Sequence, residues 1–183
     1  NLKDRVSPHF WEDITHFEGN ANAFRLLTHR FLGRREGGFV MTYTTLASIV
    51  KYPFSSTYAG KHGKFGFFAT EEDTYKRIAD ELGIIQNDSS EKGICYVRHP
   101  LTYLMEAADD ICYEIMDIED SHKLKILSFE ETADLLLGFF DEATRKSIRQ
   151  RIKDEGVTDQ NEQVVYFRAC AVGLLEAECV NVF

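Results

Sequence analysis

The longest uninterrupted amphipathic pattern runs from Arg98 to Ser121. Leu101, Leu104, Met105, Ala107, Ala108, Ile111, Cys112, Ile115 and Ile118 form one apolar stripe at the spacing of a helix face. Pro100 suits the first turn, where a missing N–H costs nothing. No Gly or Pro follows until Gly138. The pattern predicts one long helix. Asp109 falls at the edge of the stripe, one turn from Met105, Cys112 and Tyr113, and Glu106, Asp110 and Asp117 continue round the next sector. A carboxylate that close to a core face must be hydrogen-bonded, paired or metal-bound, because burying an isolated charge is costly. A break in an otherwise consistent pattern is where function is expected.

The rest of the chain reads as shorter helices. Ser7 and Pro8 start one over His9 to Ile14. A second spans His16 to Leu32, with Phe17, Ala21, Phe24, Leu27 and Phe31 on its apolar face. Gly19 inside it costs about 1 kcal/mol relative to Ala, so close packing or a ligand is expected there. Gly33, with Gly37 and Gly38, ends it. Thr42 to Lys51 suits helix or strand by propensity; Leu46, Ile49 and Val50 favour helix, and Pro53 stops it. Residues 54–68 form a loop carrying Lys61, Lys64, Phe65, Phe67 and Phe68. Thr70 to Asp73 is close to a capping box ahead of a helix to Leu82, with Gly83 as its C-cap. Residues 85–97 read as a polar connection. Ser128 to Glu131 is a second capping box, for a helix to Phe139. Asp141 caps a charged helix to about Lys153, Gly156 closes it, and Asp159 to Phe183 is a final amphipathic helix carrying Val164, Phe167, Ala171, Leu174 and Leu175. The fold class is all-α.

Composition and the chain's ending add further constraints. The 183 residues suffice for one domain, and 44% hydrophobic content permits a core. No apolar run nears the roughly 20 residues that span a bilayer, and the N-terminus has no signal-peptide core, so a cytoplasmic protein is expected. Cys95, Cys112, Cys170 and Cys179 form no C-x-x-C pair and read as buried, reduced thiols. The net charge of −9 disfavours a simple polyanion binder, so an anionic ligand needs a metal ion or local basic cluster to offset the field. The apolar ending Val180 to Phe183 suggests a segment of a longer protein.

Three strings in order now stand out: H-F-E-G-N-A-N at 16–22, V-K-Y-P at 50–53 and P-L-T-Y-L-M-E-A-A-D-D-I-C-Y at 100–113. Together they resemble the deoxyguanosine triphosphate triphosphohydrolases, dNTP hydrolases of the HD superfamily. The resemblance runs from about His16 to the C-terminus and implies a helical HD-type bundle. It implies hydrolysis of dGTP or another dNTP to deoxynucleoside and tripolyphosphate, by a water activated on a divalent metal, Mg2+ or Mn2+ being expected. In the family that metal is held by two His and two Asp, and the motif makes Asp109 the final ligand. By the same motif Lys51, paired with Tyr52 as a substrate-binding residue, and Lys64 meet the triphosphate, Asn20 lies near the sugar or phosphate, and Tyr113 and Asp117 lie on the sugar side. Family members are typically homo-oligomers, and some bind single-stranded DNA.

The chain departs from the family in one large respect. None of its six His is followed by Asp, so the H-D pair is absent and at most one of four metal ligands is present. The expectation is that the others lie upstream of this segment. The alternative is a helical scaffold that keeps the fold without the chemistry. Cys112 and His99 are not at adjacent helical positions, so a thiol nucleophile is not supported. Without the resemblance, the acidic set on the long helix reads as a solvated face with one buried carboxylate.

Overall fold

The computed structural model describes residues 2–33, 36, 38–90 and 93–183. Its contacts fall into two compact units, 1–105 and 106–183. Among the described residues the architecture is α-helical with one small hairpin, as the periodicity predicts apart from the hairpin. No helix of the described residues is long and apolar enough to cross a membrane.

The first unit holds α1 (Pro8–Thr15), α2 (Gly19–Thr28), α3 (Tyr43–Ser48), α4 (Glu72–Leu82), β1 (Gln86–Ser90), β2 (Gly93–Tyr96) and the first turn of α5 (Leu101–Lys123). Ser7 caps α1 by accepting the Phe10 N–H, and Pro8 occupies the first turn. Thr42 caps α3 through the Thr45 N–H. Gly83 ends α4 at φ +65, a conformation that glycine adopts without steric cost. The core comprises Phe24, Leu46, Ala47, Val50, Phe67, Tyr75, Ile78, Ala79 and Tyr96. Phe67 stacks on Tyr75 at 4.6 Å, and Tyr75 meets Tyr96 edge-on at 5.5 Å, so the 64–68 segment and β2 share one aromatic centre. Thr102, fully buried, donates to the Ala47 carbonyl at 3.4 Å and ties the start of α5 to α3.

Several expectations are corrected in this unit. The second helix starts at Gly19 and ends at Thr28, not His16 to Leu32. Gly19 is therefore a first-turn residue, and an added Cβ there would meet nothing within 4 Å. Glu18 is its N-cap, and His16 closes α1 instead. Of the glycines expected to end the helix, Gly37 lies outside the described residues, and the chain leaves the helix four residues before Gly33 reaches φ +76. The Thr70 box does not form: Ala69–Glu71 is a 3-10 turn, and Thr70 Oγ1 donates to Glu71 Oε1 instead. The polar stretch before α5 forms the antiparallel β1–β2 pair.

In the second unit α5 continues to Lys123, followed by α6 (Phe129–Leu137), α7 (Glu142–Asp154) and α8 (Gln160–Val182). The Ser128 capping box is complete, with both reciprocal bonds made. Asp141 and Asp159 cap α7 and α8 through Thr144 and Glu162. Ile115 joins Ala133, Leu136, Leu137, Ile152, Val164, Phe167 and Ala171 in the core. Only part of the predicted stripe is buried: Ile115 is, Ile111 and Ile118 pack against it, and Ala108 and Cys112 are exposed. All four cysteines are free thiols and none is buried, contrary to expectation.

Candidate functional site

Glu18 is the centre of the polar structure in the first unit. It is 3% exposed, and its carboxylate accepts from the backbone N–H of Asn20 and, at 3.1 Å, of Ala21. The cap arises because the first N–H groups of a helix have no internal partner. The same carboxylate accepts from Asn20 Nδ2 at 2.9 Å and from Lys64 Nζ at 3.1 Å. Two of the residues nominated by motif, Asn20 and Lys64, therefore meet on one buried acid. Glu18 itself was not selected from sequence.

The segments carrying Lys51, Tyr52 and Lys64 also run side by side. Gly66 N–H donates to the Phe54 carbonyl at 3.1 Å, and Ser55 bridges Phe67. A Cβ on Gly66 would lie 2.2 Å from the Tyr52 carbonyl oxygen and 2.6 Å from Val50 Cγ1. Only glycine permits that approach. Lys51 Nζ stands 6.0 Å from the Tyr52 ring centre, and the Arg98 guanidinium lies over Tyr52 at 5.7 Å and Tyr103 at 5.8 Å. These are cation–π distances, and Arg98 is a cation beside Tyr52 that sequence reasoning missed.

A cleft of about 410 Å3 lies against α1 and the 56–63 turns, with Glu12, His16, Ser56 and Gly63 in its wall. Ser56 Oγ is buried there without a hydrogen-bond partner among the described residues. A separate cleft of about 550 Å3 contains Glu71, Thr70, Tyr43 and Arg77 and none of the nominated residues. Burial holds the Glu71 carboxyl above the usual carboxylate range, against the opposing influence of Thr70 and Arg25.

In the second unit Asp109, Tyr113 and Asp117 follow one another along α5 at four-residue steps and are all exposed. Tyr113 is 66% exposed. The burial argument for Asp109 does not hold in this structure. The buried carboxylate of α5 is Glu119, 3% exposed and ion-paired to Arg168 and Lys123, each at 2.6 Å. Its sequence signal was the continuation of the Ile111, Ile115 series by one more step of four. Among the described residues no three His, Cys, Asp or Glu side chains converge to hold a metal ion. One exposed carboxylate at Asp109 cannot hold a divalent ion alone, so the described residues do not by themselves complete a metal site.

These features define a helical segment with an amide–lysine pair on a buried acid in one unit and an Asp–Tyr–Asp helix face in the other. The chain is 40% identical over 151 residues to a deoxyguanosinetriphosphate triphosphohydrolase-like protein of Pseudomonas aeruginosa, an alignment covering 80% of this chain and 33% of that protein. It is 41% identical over 145 residues to a protein of the same description from Synechocystis sp., covering 74% of this chain and 32% of the relative. It is 33% identical over 183 residues to the deoxyguanosinetriphosphate triphosphohydrolase of Yersinia pestis, covering 89% of this chain and 33% of the relative. No protein-family model matches the chain. Over the part it spans, the chain matches the deoxyguanosinetriphosphate triphosphohydrolase family. It spans about a third of the length of these curated relatives.

Proposed function

We propose that this chain is part of a metal-dependent dNTP triphosphohydrolase. The reaction is hydrolysis of dGTP or another dNTP to deoxynucleoside and tripolyphosphate. The observation that carries the reading is the similarity over 74% to 89% of the chain to proteins named for dGTP triphosphohydrolysis. The meeting of Asn20 and Lys64 on Glu18 supports it, because a fixed ammonium and amide suit phosphate oxygens.

Lys51 and Lys64 offset the charge of the triphosphate in a chain of net charge −9. Tyr52 backs Lys51, and Asn20 adds an amide donor. Tyr113 packs against the deoxyribose, where a 2′-hydroxyl would clash, and Asp117 accepts from the sugar. Asp109 supplies one carboxylate to a divalent ion, Mg2+ or Mn2+, whose remaining ligands come from outside this chain. The working protein is a cytosolic homo-oligomer, with single-stranded DNA as a candidate effector.

The test is dGTP turnover by full-length protein carrying Lys64→Ala or Tyr113→Ala. A raised KM for dGTP with Lys64→Ala, and new turnover of GTP with Tyr113→Ala, are expected. A full-length protein that binds no metal and releases no tripolyphosphate would instead make this segment part of a helical scaffold.

A further inference from the structure

We infer that Glu18 is a positioning residue for triphosphate binding: its buried carboxylate fixes the Asn20 amide and the Lys64 ammonium as one anion-facing pair. The inference rests on the function proposed above and names a residue that function does not use.

A carboxylate offers about four lone-pair directions. Four donors meet Glu18: the backbone N–H groups of Asn20 and Ala21, the Asn20 side-chain amide and the Lys64 ammonium. Glu18 has no lone-pair direction left for a ligand, so it acts through its partners. Those partners do have capacity. A lysine ammonium carries three donors and an asparagine amide two, and Glu18 uses one of each. Lys64 is 52% exposed while Glu18 is 3% exposed, so the acid sits beneath the surface that the ammonium presents.

Two further observations bear on a ligand. The contact joins residues 46 apart in sequence, so the 64–68 segment is held against the start of α2 before any ligand arrives. A long lysine stem fixed in advance loses less rotamer freedom on binding. The adjoining cleft carries Gly63, next to Lys64, and Ser56, whose buried hydroxyl has no partner among the described residues. That hydroxyl is an unpaired polar group beneath the wall of the cleft.

The experiment is steady-state dGTP hydrolysis by the full-length protein in four forms: Glu18→Gln, Glu18→Asp, Lys64→Ala and Glu18→Gln with Lys64→Ala. Glu18→Gln keeps an acceptor but removes the ion pair. Glu18→Asp keeps a good helix cap but withdraws the carboxylate from Lys64 by one methylene, so it covers the case in which the glutamine variant fails to fold. Expected is a KM about tenfold higher for each single variant, with kcat changed less than KM. The double variant should fall well short of the product of the two single effects, because Glu18 acts in large part through Lys64. Multiplying effects in the double variant, or an unchanged KM in both Glu18 variants, overturns the inference while leaving Lys64 in its role. An unchanged KM in Lys64→Ala removes Lys64 from the phosphate site and overturns both.

Discussion

Arg168 donates to Glu119 at 2.6 Å, joining α8 to α5 through a carboxylate that is 3% exposed. Removing one partner of a buried pair leaves the other charge uncompensated. Arg168 is 29% exposed, so water relieves part of that penalty. Glu119→Ala is therefore expected to destabilise the second unit by roughly 2–3 kcal/mol. Glu119→Leu combined with Arg168→Met should restore most of the loss, since an apolar pair of similar volume needs no desolvation of charge. Chemical denaturation of both variants measures this; a double variant as unstable as the single would show that the pair does more than satisfy its own charges.

Glu71 gives a pH dependence of definite sign. Burial raises its folded pKa above that of the unfolded chain. Such a group penalises folding above its folded pKa, and the penalty disappears as pH falls below the unfolded value. Glu71→Gln should accordingly raise the melting temperature at pH 7, with the gain shrinking towards about pH 4. The Thr70 hydroxyl keeps an acceptor in the amide oxygen. Equal gains at both pH values would assign the effect to packing.

Gly66 marks where the Lys64 and Lys51 segments cross. A Cβ there meets the Tyr52 carbonyl and the Val50 side chain inside contact distance, and backbone cannot move aside cheaply. Gly66→Ala should cost about 2–3 kcal/mol and raise the KM for dGTP in the full-length protein, because it separates the lysine-bearing segments. A variant as stable as the parent would mean that the crossing yields easily.

The 183-residue chain by itself is expected to release no tripolyphosphate from dGTP, with or without added Mn2+. Its described residues do not bring three metal-ligating side chains together. Tripolyphosphate release by the purified chain, measured by ion chromatography, would show that a working site forms from these residues alone.

Helix identity was legible where local chemistry decides it. Ser7, Thr42, Ser128, Asp141 and Asp159 cap in the structure as short polar side chains ahead of periodic apolar residues should. Glu18 defeated the same reasoning, because a glutamate is an unusual cap and Phe17 completes a helical pattern on the wrong side of it; Phe17 is 77% exposed. The β1–β2 hairpin lacks the alternation that marks a half-buried strand; its first strand, Q-N-D-S-S, is wholly polar. In the site, Asn20 and Lys64 were legible only as motif positions, since their shared acid depends on a contact 46 residues long. Asp109 was singled out as a carboxylate near the core, yet Glu119 fills that place. The buried positions of α5 are Thr102, Ile115 and Glu119, and a helical wheel does not say which edge faces a neighbour.

What remains of the case for Asp109 is its motif, and one measurement addresses it. Asp109→Ala in the full-length protein should bind less than the parent's stoichiometry of divalent metal and lose dGTP hydrolysis, while melting close to the parent because the side chain is exposed. Metal content by elemental analysis, read beside tripolyphosphate release on the same sample, makes the comparison. Full metal content with unchanged hydrolysis would contradict the assignment of Asp109 as a ligand.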